Sequence, residues 1–182
     1  MDQNEIRYVV APEFSNLFVD IKDKLLEFNT GKETISYSSN GPSKSKKQFK
    51  MQGGDMRYYN IRANKYLEDK IINTFHLKPH SVYILVTPKN FKGTPHIDLG
   101  KRDVILNILL QGTGKCYFNN SKEQEDINCF TDSHAFFFEG SKYHFVNNLN
   151  SDIERVVISI NWFKKFTLND IHEQSARTRL LF

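Results

Sequence analysis

The chain of 182 residues is 39% hydrophobic and 13% aromatic, with 15 Phe and 8 Tyr, which is enough apolar material for a core and excludes wholesale disorder. Lys and Arg total 25 against 21 Asp and Glu, and a net charge of +4 permits an anionic ligand without marking a nucleic-acid binder. No apolar run reaches the roughly 18 residues that span a bilayer, and the N-terminal MDQNEIRYVVAPEF lacks the apolar stretch of a leader, so the expectation is a cytoplasmic protein with no membrane partner.

Residues 13–28 read as a helix, because Phe14, Leu17, Phe18, Ile21, Leu25 and Phe28 recur at spacings of three and four, with Gly31 as the stop. Periodicity is then lost over 31–60, and the Ser-, Gly- and Lys-rich stretch 38–47 is a loop by composition. Two readings of 31–60 stand here: a solvated surface loop, or a lid over substrate. A second helix is expected over 62–76, with Leu67, Ile71 and Phe75 one turn apart. From Ser81 the texture changes to strands at 81–87, 104–110, 115–118, 126–130, 134–139, 143–148 and 154–162, with turns at 112–114 and 140–142. Many short strands with no helix between them argue for an antiparallel sandwich or barrel. In the last strand Arg155, Val157 and Ser159 share one face; Val156, Ile158, Ile160 and Trp162 share the other, which the N-terminal helices can cover. A short helix is expected near 168–176. The whole reads as one domain over 1–182: helical cover with the loop in 1–80, a strand core in 81–162, and a tail in 163–182. Cys116 and Cys129 form no zinc spacing and no CxxC, and read as reduced and structural.

The chemistry concentrates in Thr94-Pro95-His96-Ile97-Asp98, then His144, then Arg155. His96 and Asp98 are two apart, so an extended backbone puts both on one face, and His144 lies on a later strand. Two imidazoles and one carboxylate are the donor set of the facial triad that holds non-haem Fe(II) with adjacent positions open. A guanidinium at Arg155 can grip a carboxylate bidentately. His134 competes with His144 as the distal ligand but stands closer to Asp98, at the start of a strand. Arg155 has a plainer reading as a surface charge paired with Glu154 or Asp152, and Tyr83 and Asn107 have plainer readings as packed or backbone-bonded polar residues.

These residues in a strand-only background resemble the 2-oxoglutarate/Fe(II)-dependent dioxygenase superfamily, with its H-x-D/E … H … R/K pattern. The resemblance covers about 81–162. PHIDLGKRDVILNILLQG is similar to the stretch where that HxD leads into a strand. FFFEGSKYHFVNNLNSDIERVVISINW resembles the distal half of the aspartyl/asparaginyl β-hydroxylase branch, through His144, Asn147, Arg155 and Trp162. Most members of that branch lack the acidic ligand that Asp98 supplies, so the resemblance is to the wider superfamily. Where some members carry R-x-S, this chain has Val157, and the same-face serine comes later at Ser159.

The resemblance implies a double-stranded β-helix (jelly-roll, cupin-like) core with N-terminal helices packed on one sheet. It implies Fe(II) on His96, Asp98 and His144, and 2-oxoglutarate paired with Arg155, with Tyr83, Asn107 and Ser159 as further contacts. The implied activity is a hydroxylase that couples decarboxylation of 2-oxoglutarate to succinate with hydroxylation of a protein side chain or small molecule, using O2 and stimulated by ascorbate. Arg57 and Arg62, beside Tyr58 and Tyr59, are the candidate substrate contacts; the charge balance does not decide against nucleic acid. Two rivals remain: a cupin-like protein that binds metal or anion without oxidising anything, and a metal enzyme of the same fold that does not use 2-oxoglutarate.

Overall fold

The computed structural model describes residues 8–26, 49–51, 54–60, 65–98, 104–119, 128–131, 134–162 and 167–170. In chain order the strands are β1 (Tyr8–Val10), β2 (Phe49–Met51), β3 (Gly54–Asn60), β4 (Ser81–Thr87), β5 (Phe91–Lys92), β6 (Val104–Gln111), β7 (Lys115–Asn119), β8 (Asn128–Thr131), β9 (Phe136–Phe138), β10 (Tyr143–Asn148) and β11 (Arg155–Trp162). Helices α1 (Lys22–Leu26) and α2 (Lys65–Phe75) precede β2 and β4 respectively. The strands form a seven-stranded sheet in the order β1-β9-β6-β11-β4-β3-β2 and a four-stranded sheet in the order β5-β10-β7-β8, paired antiparallel throughout. This is the expected jelly-roll.

The alternation in β11 governs how the layers stack. Every residue of β11 is buried, because the strand lies between β4 and β6 and has cover on both faces. Val156, Ile158, Ile160 and Trp162 join Val82, Ile84, Val86, Leu106 and Ile108 in a core completed by Phe18, Leu25, Leu67 and Ile71. The N-terminal segment and α2 therefore cover one face of the large sheet, as the parity of β11 predicts. Trp162 lies in this layer, against Phe75 and donating from Nε1 to the Leu77 carbonyl at 3.4 Å. The opposite face meets the small sheet, where Ile105, Cys116, Phe118, Phe136 and Phe138 form a second cluster with Tyr8 and Val146 against it.

The N-terminal helix differs from expectation. Residues 13–28 do not form one α-helix: Pro12–Phe14 and Val19–Ile21 are 3-10 turns, and only Lys22–Leu26 is α-helical before the described residues end. Ser15, Asn16, Val19 and Asp20 are weak helix formers. The segment is also tied to the sheet, by Ala11 N–H to Ala135 O at 2.8 Å and Ala135 N–H to Ser15 Oγ at 2.9 Å. The apolar stripe still faces the core, with Phe18 and Leu25 buried and Phe14, Leu17 and Ile21 packed alongside.

The 31–60 segment is not loop throughout. Its last part is β2 and β3, and β3 adds to β4 with Arg57 opposite Val86 and Asn60 opposite Tyr83. Strand β3 is polar and mixed in sequence, and it gains its order from the ladder that β4 offers. Residues 31–48 lie outside the described residues. Of the helix expected over 62–76, Lys65–Phe75 is α-helical and 62–64 lie outside the described residues; it ends where His76 adopts φ 51° and its N–H bonds to Ile72 O at 2.7 Å. Of the expected 168–176 helix, 168–170 is helical, started by Thr167 and Asp170: the Thr167 N–H donates to Asp170 Oδ2 at 2.7 Å and the Asp170 N–H to Thr167 Oγ1 at 3.2 Å.

Candidate metal centre and the pocket behind it

His144 stands on β10 in the small sheet, and His96 and Asp98 follow β5 at its edge. His96 and His144 form a bridged pair, with His96 N–H to His144 O at 3.1 Å and His144 N–H to His96 O at 2.9 Å. Asp98 is tied separately, its N–H donating to Gly140 O at 2.8 Å. The imidazole centroids lie 4.6 Å apart, and His144 Nε2 is 3.9 Å from Asp98 Oδ2. One ligand atom from each of His96, Asp98 and His144 falls within 4.8 Å of the others, the one such group among the described residues.

The tautomers follow from the backbone. His96 Nδ1 lies 2.9 Å from Thr94 O, and His144 Nδ1 lies 2.8 Å from Lys142 O. A carbonyl only accepts, so each Nδ1 carries a proton, and in the neutral ring the lone pair is then on Nε2, the arrangement that fixes a metal-ligating imidazole. Burial pushes the His144 imidazole below its ordinary range; Asp98 opposes the shift and His96 adds to it. The donor chemistry, two imidazoles and a carboxylate, fits a non-haem Fe(II).

Arg155 opens β11 and points from the large sheet toward the small one. It is 2% exposed, and its Nη2 lies 3.9 Å from Cys116 Sγ on β7. Gly114 makes room for it: a Cβ there would stand 2.6 Å from Arg155 Cδ and 2.8 Å from Nε. Cys116 pairs with Val146, and Phe118 with His144, on the same face of the small sheet. The guanidinium thus reaches that sheet one row beyond His144, roughly 7 Å along the strand.

Polar partners line the same face of the large sheet. Thr87 is opposite Arg155, and Ser159 lies between Tyr83 and Asn107 in one row across β4, β11 and β6. Residues directly opposite share a face, so Tyr83, Asn107 and Ser159 stand on the Arg155 side. Thr87 Oγ1 and Asn107 Oδ1 are buried without a protein hydrogen-bond partner among the described residues. Buried polar atoms of this kind call for a ligand or water.

His134 is exposed and stands outside the cluster, so His144 is the distal histidine of the group. Arg155 is buried and is not the surface charge of the plainer reading. Arg57 lies on β3, and Arg62 lies outside the described residues. Sequence reasoning misses Thr87, an ordinary residue at the end of an apolar strand, whose placement is set by its partner across the ladder. It also misses Gly114 as the space for Arg155.

No protein-family model matches the chain, and no curated protein matches its sequence. Solved structures do share its fold. A prolyl hydroxylase from Trichoplax adhaerens, in complex with a peptide fragment of the hypoxia inducible factor oxygen degradation domain, superposes with TM-score 0.56 at 14% identity, over 88% of this chain and 84% of that one. HygX from Streptomyces hygroscopicus, with nickel and 2-oxoglutarate bound, gives 0.54 at 12% identity over 88% and 84%. SnoN, a non-haem α-ketoglutarate-dependent epimerase from nogalamycin biosynthesis, gives 0.52 at 11% identity over 86% and 78%. The structural neighbours are thus 2-oxoglutarate/Fe(II)-dependent oxygenases, and the likeness at these identities is one of fold.

Proposed function

We propose that this protein is a 2-oxoglutarate- and Fe(II)-dependent oxygenase, a hydroxylase of a protein side chain or small molecule, acting in the cytoplasm as a single domain over 1–182. The observation that carries the reading is the convergence of His96, Asp98 and His144 in the barrel, with buried Arg155 one row behind them. Facial donors at one end and a buried cation at the other suit a five-carbon dicarboxylate chelated at its keto acid and paired at its far carboxylate. The ligands carried by HygX and the peptide carried by the prolyl hydroxylase support the same reading.

His96 and His144 would hold Fe(II) through Nε2, and Asp98 through a carboxylate oxygen. When bound, iron and 2-oxoglutarate supply the chemistry: O2 is split, one atom going to succinate as CO2 leaves and the other to the substrate. Arg155 would orient the co-substrate by its far carboxylate. Thr87 would donate its hydroxyl to that carboxylate. Tyr83, Asn107 and Ser159 form the polar row along the pocket, and the apolar cluster of Phe118, Phe136 and Phe138 limits water around it. Arg57 and Arg62 are proposed for substrate contact, and their alanine variants should lower turnover of the primary substrate.

The test is succinate production from 2-oxoglutarate with Fe(II), O2 and ascorbate, run beside His96→Ala. The reading expects succinate from the wild type and none above background from the variant. Equal yields would remove it. Metal and 2-oxoglutarate binding without any turnover, even with candidate peptide and small-molecule substrates added, would favour a binding protein of the same fold.

A further inference from the structure

Pairing of β10 with the His96 segment is out of step by one residue. Asn147 faces Lys92 and Asn148 faces Phe91. Continued without interruption, that register would set His144 opposite Pro95 and His96 opposite Tyr143. Neighbouring residues on a strand alternate faces, so the two imidazoles would then stand on opposite sides of the sheet. The observed partner of His144 is instead His96. One extra residue is taken up between Lys92 and His96, which is a β-bulge, and it turns His96 to the face of His144.

The chemistry of the bulge is written in Gly93, Pro95 and Asn147. A Cβ at Gly93 would stand 2.4 Å from Val146 O, so only glycine lets the bulged chain lie this close to β10. Pro95 has no N–H to leave unpaired where the ladder is broken. The Gly93 N–H donates to Asn147 Oδ1 at 2.9 Å, and Asn147 is itself buried. Its side chain thus supplies the acceptor for the bulge.

We propose that Asn147 is a positioning residue for the metal centre: by holding the Gly93 amide it fixes the bulge that brings His96 onto the face of His144. This rests on the metal-centre reading above. Asn147 is too far along the strand to be a ligand and acts through the backbone of its neighbour. Outer partners that orient metal ligands commonly govern affinity by about 10- to 100-fold.

The test uses the full chain and Mn(II) alone, by titration calorimetry, with the visible spectrum of the Co(II) form as a geometric readout. Asn147→Leu removes the acceptor at similar size, Asn147→Asp keeps it, and His96→Ala marks loss of the centre. The expected result is a Mn(II) Kd raised about tenfold or more in Asn147→Leu, with an altered Co(II) spectrum, and both restored in Asn147→Asp. If leucine prevents folding, Asn147→Ala carries the same expectation. A lower melting temperature with wild-type Mn(II) affinity and spectrum would overturn the proposal and leave the bond structural only. Failure of the wild type itself to bind Mn(II), alike with His96→Ala, would bring down the metal-centre reading and this inference with it.

Discussion

Thr87 and Arg155 face each other across β4 and β11, and the buried guanidinium and the buried hydroxyl share the face that looks into the barrel. The Thr87 hydroxyl meets no protein partner among the described residues. A hydrogen bond to a charged ligand is worth about 1.5–3 kcal/mol. Thr87→Val keeps the shape of the side chain and removes the donor. It should leave the melting temperature of the ligand-free protein near that of the wild type, while 2-oxoglutarate binding, measured with Mn(II) present, should weaken about tenfold or more. A variant that loses stability and keeps its affinity would show that the hydroxyl serves packing alone.

Gly114 gives a second route to the same pocket. A methyl group there would enter the space of Arg155 Cδ and Nε, and also approach Val146 Cγ2 within 2.8 Å. The arginine is long and can swing, so Gly114→Ala should fold and bind metal. It should lose most 2-oxoglutarate affinity, because the guanidinium no longer holds its place. Isothermal titration with Mn(II) first and 2-oxoglutarate second separates the two steps.

The cover of the large sheet should be separable from the chemistry. Leu67 on α2 is buried in the layer beneath the sheet, on the side away from His96, Asp98 and His144. Leu67→Ala should cost about 2–5 kcal/mol of stability by denaturant unfolding. Well below its melting temperature it should bind Mn(II) like the wild type.

The His96, Asp98 and His144 cluster was legible because its pattern is local: a two-residue spacing and a strand histidine declare themselves whatever the rest of the chain does. The inward face of Arg155 was legible from the apolar alternation of Val156, Ile158, Ile160 and Trp162 around it. Thr87 was hidden, because its role depends on register with a strand far along the chain. The bulge was hidden for a similar reason, since Gly93 and Pro95 look like ordinary turn residues until Lys92 and His96 are seen to pair out of step with β10. The break-up of the N-terminal helix was hidden too: the stripe of Phe14, Leu17, Phe18 and Leu25 fits 3-10 turns nearly as well as an α-helix. Strand β3 is ordered by its neighbour β4, which its own sequence does not reveal.

In the proposed function one barrel holds a metal at His96, Asp98 and His144 and an anion at Arg155. Thermal melting with Mn(II), and then with Mn(II) plus 2-oxoglutarate, tests both halves at once. A ligand at a hundredfold excess over its Kd stabilises by about 2.7 kcal/mol. The wild type should rise with Mn(II) and rise again with 2-oxoglutarate. Arg155→Ala should keep the first step and lose the second, and His96→Ala should lose both. A wild type that does not respond to either ligand, or a His96→Ala variant that responds as fully as the wild type, would contradict the account.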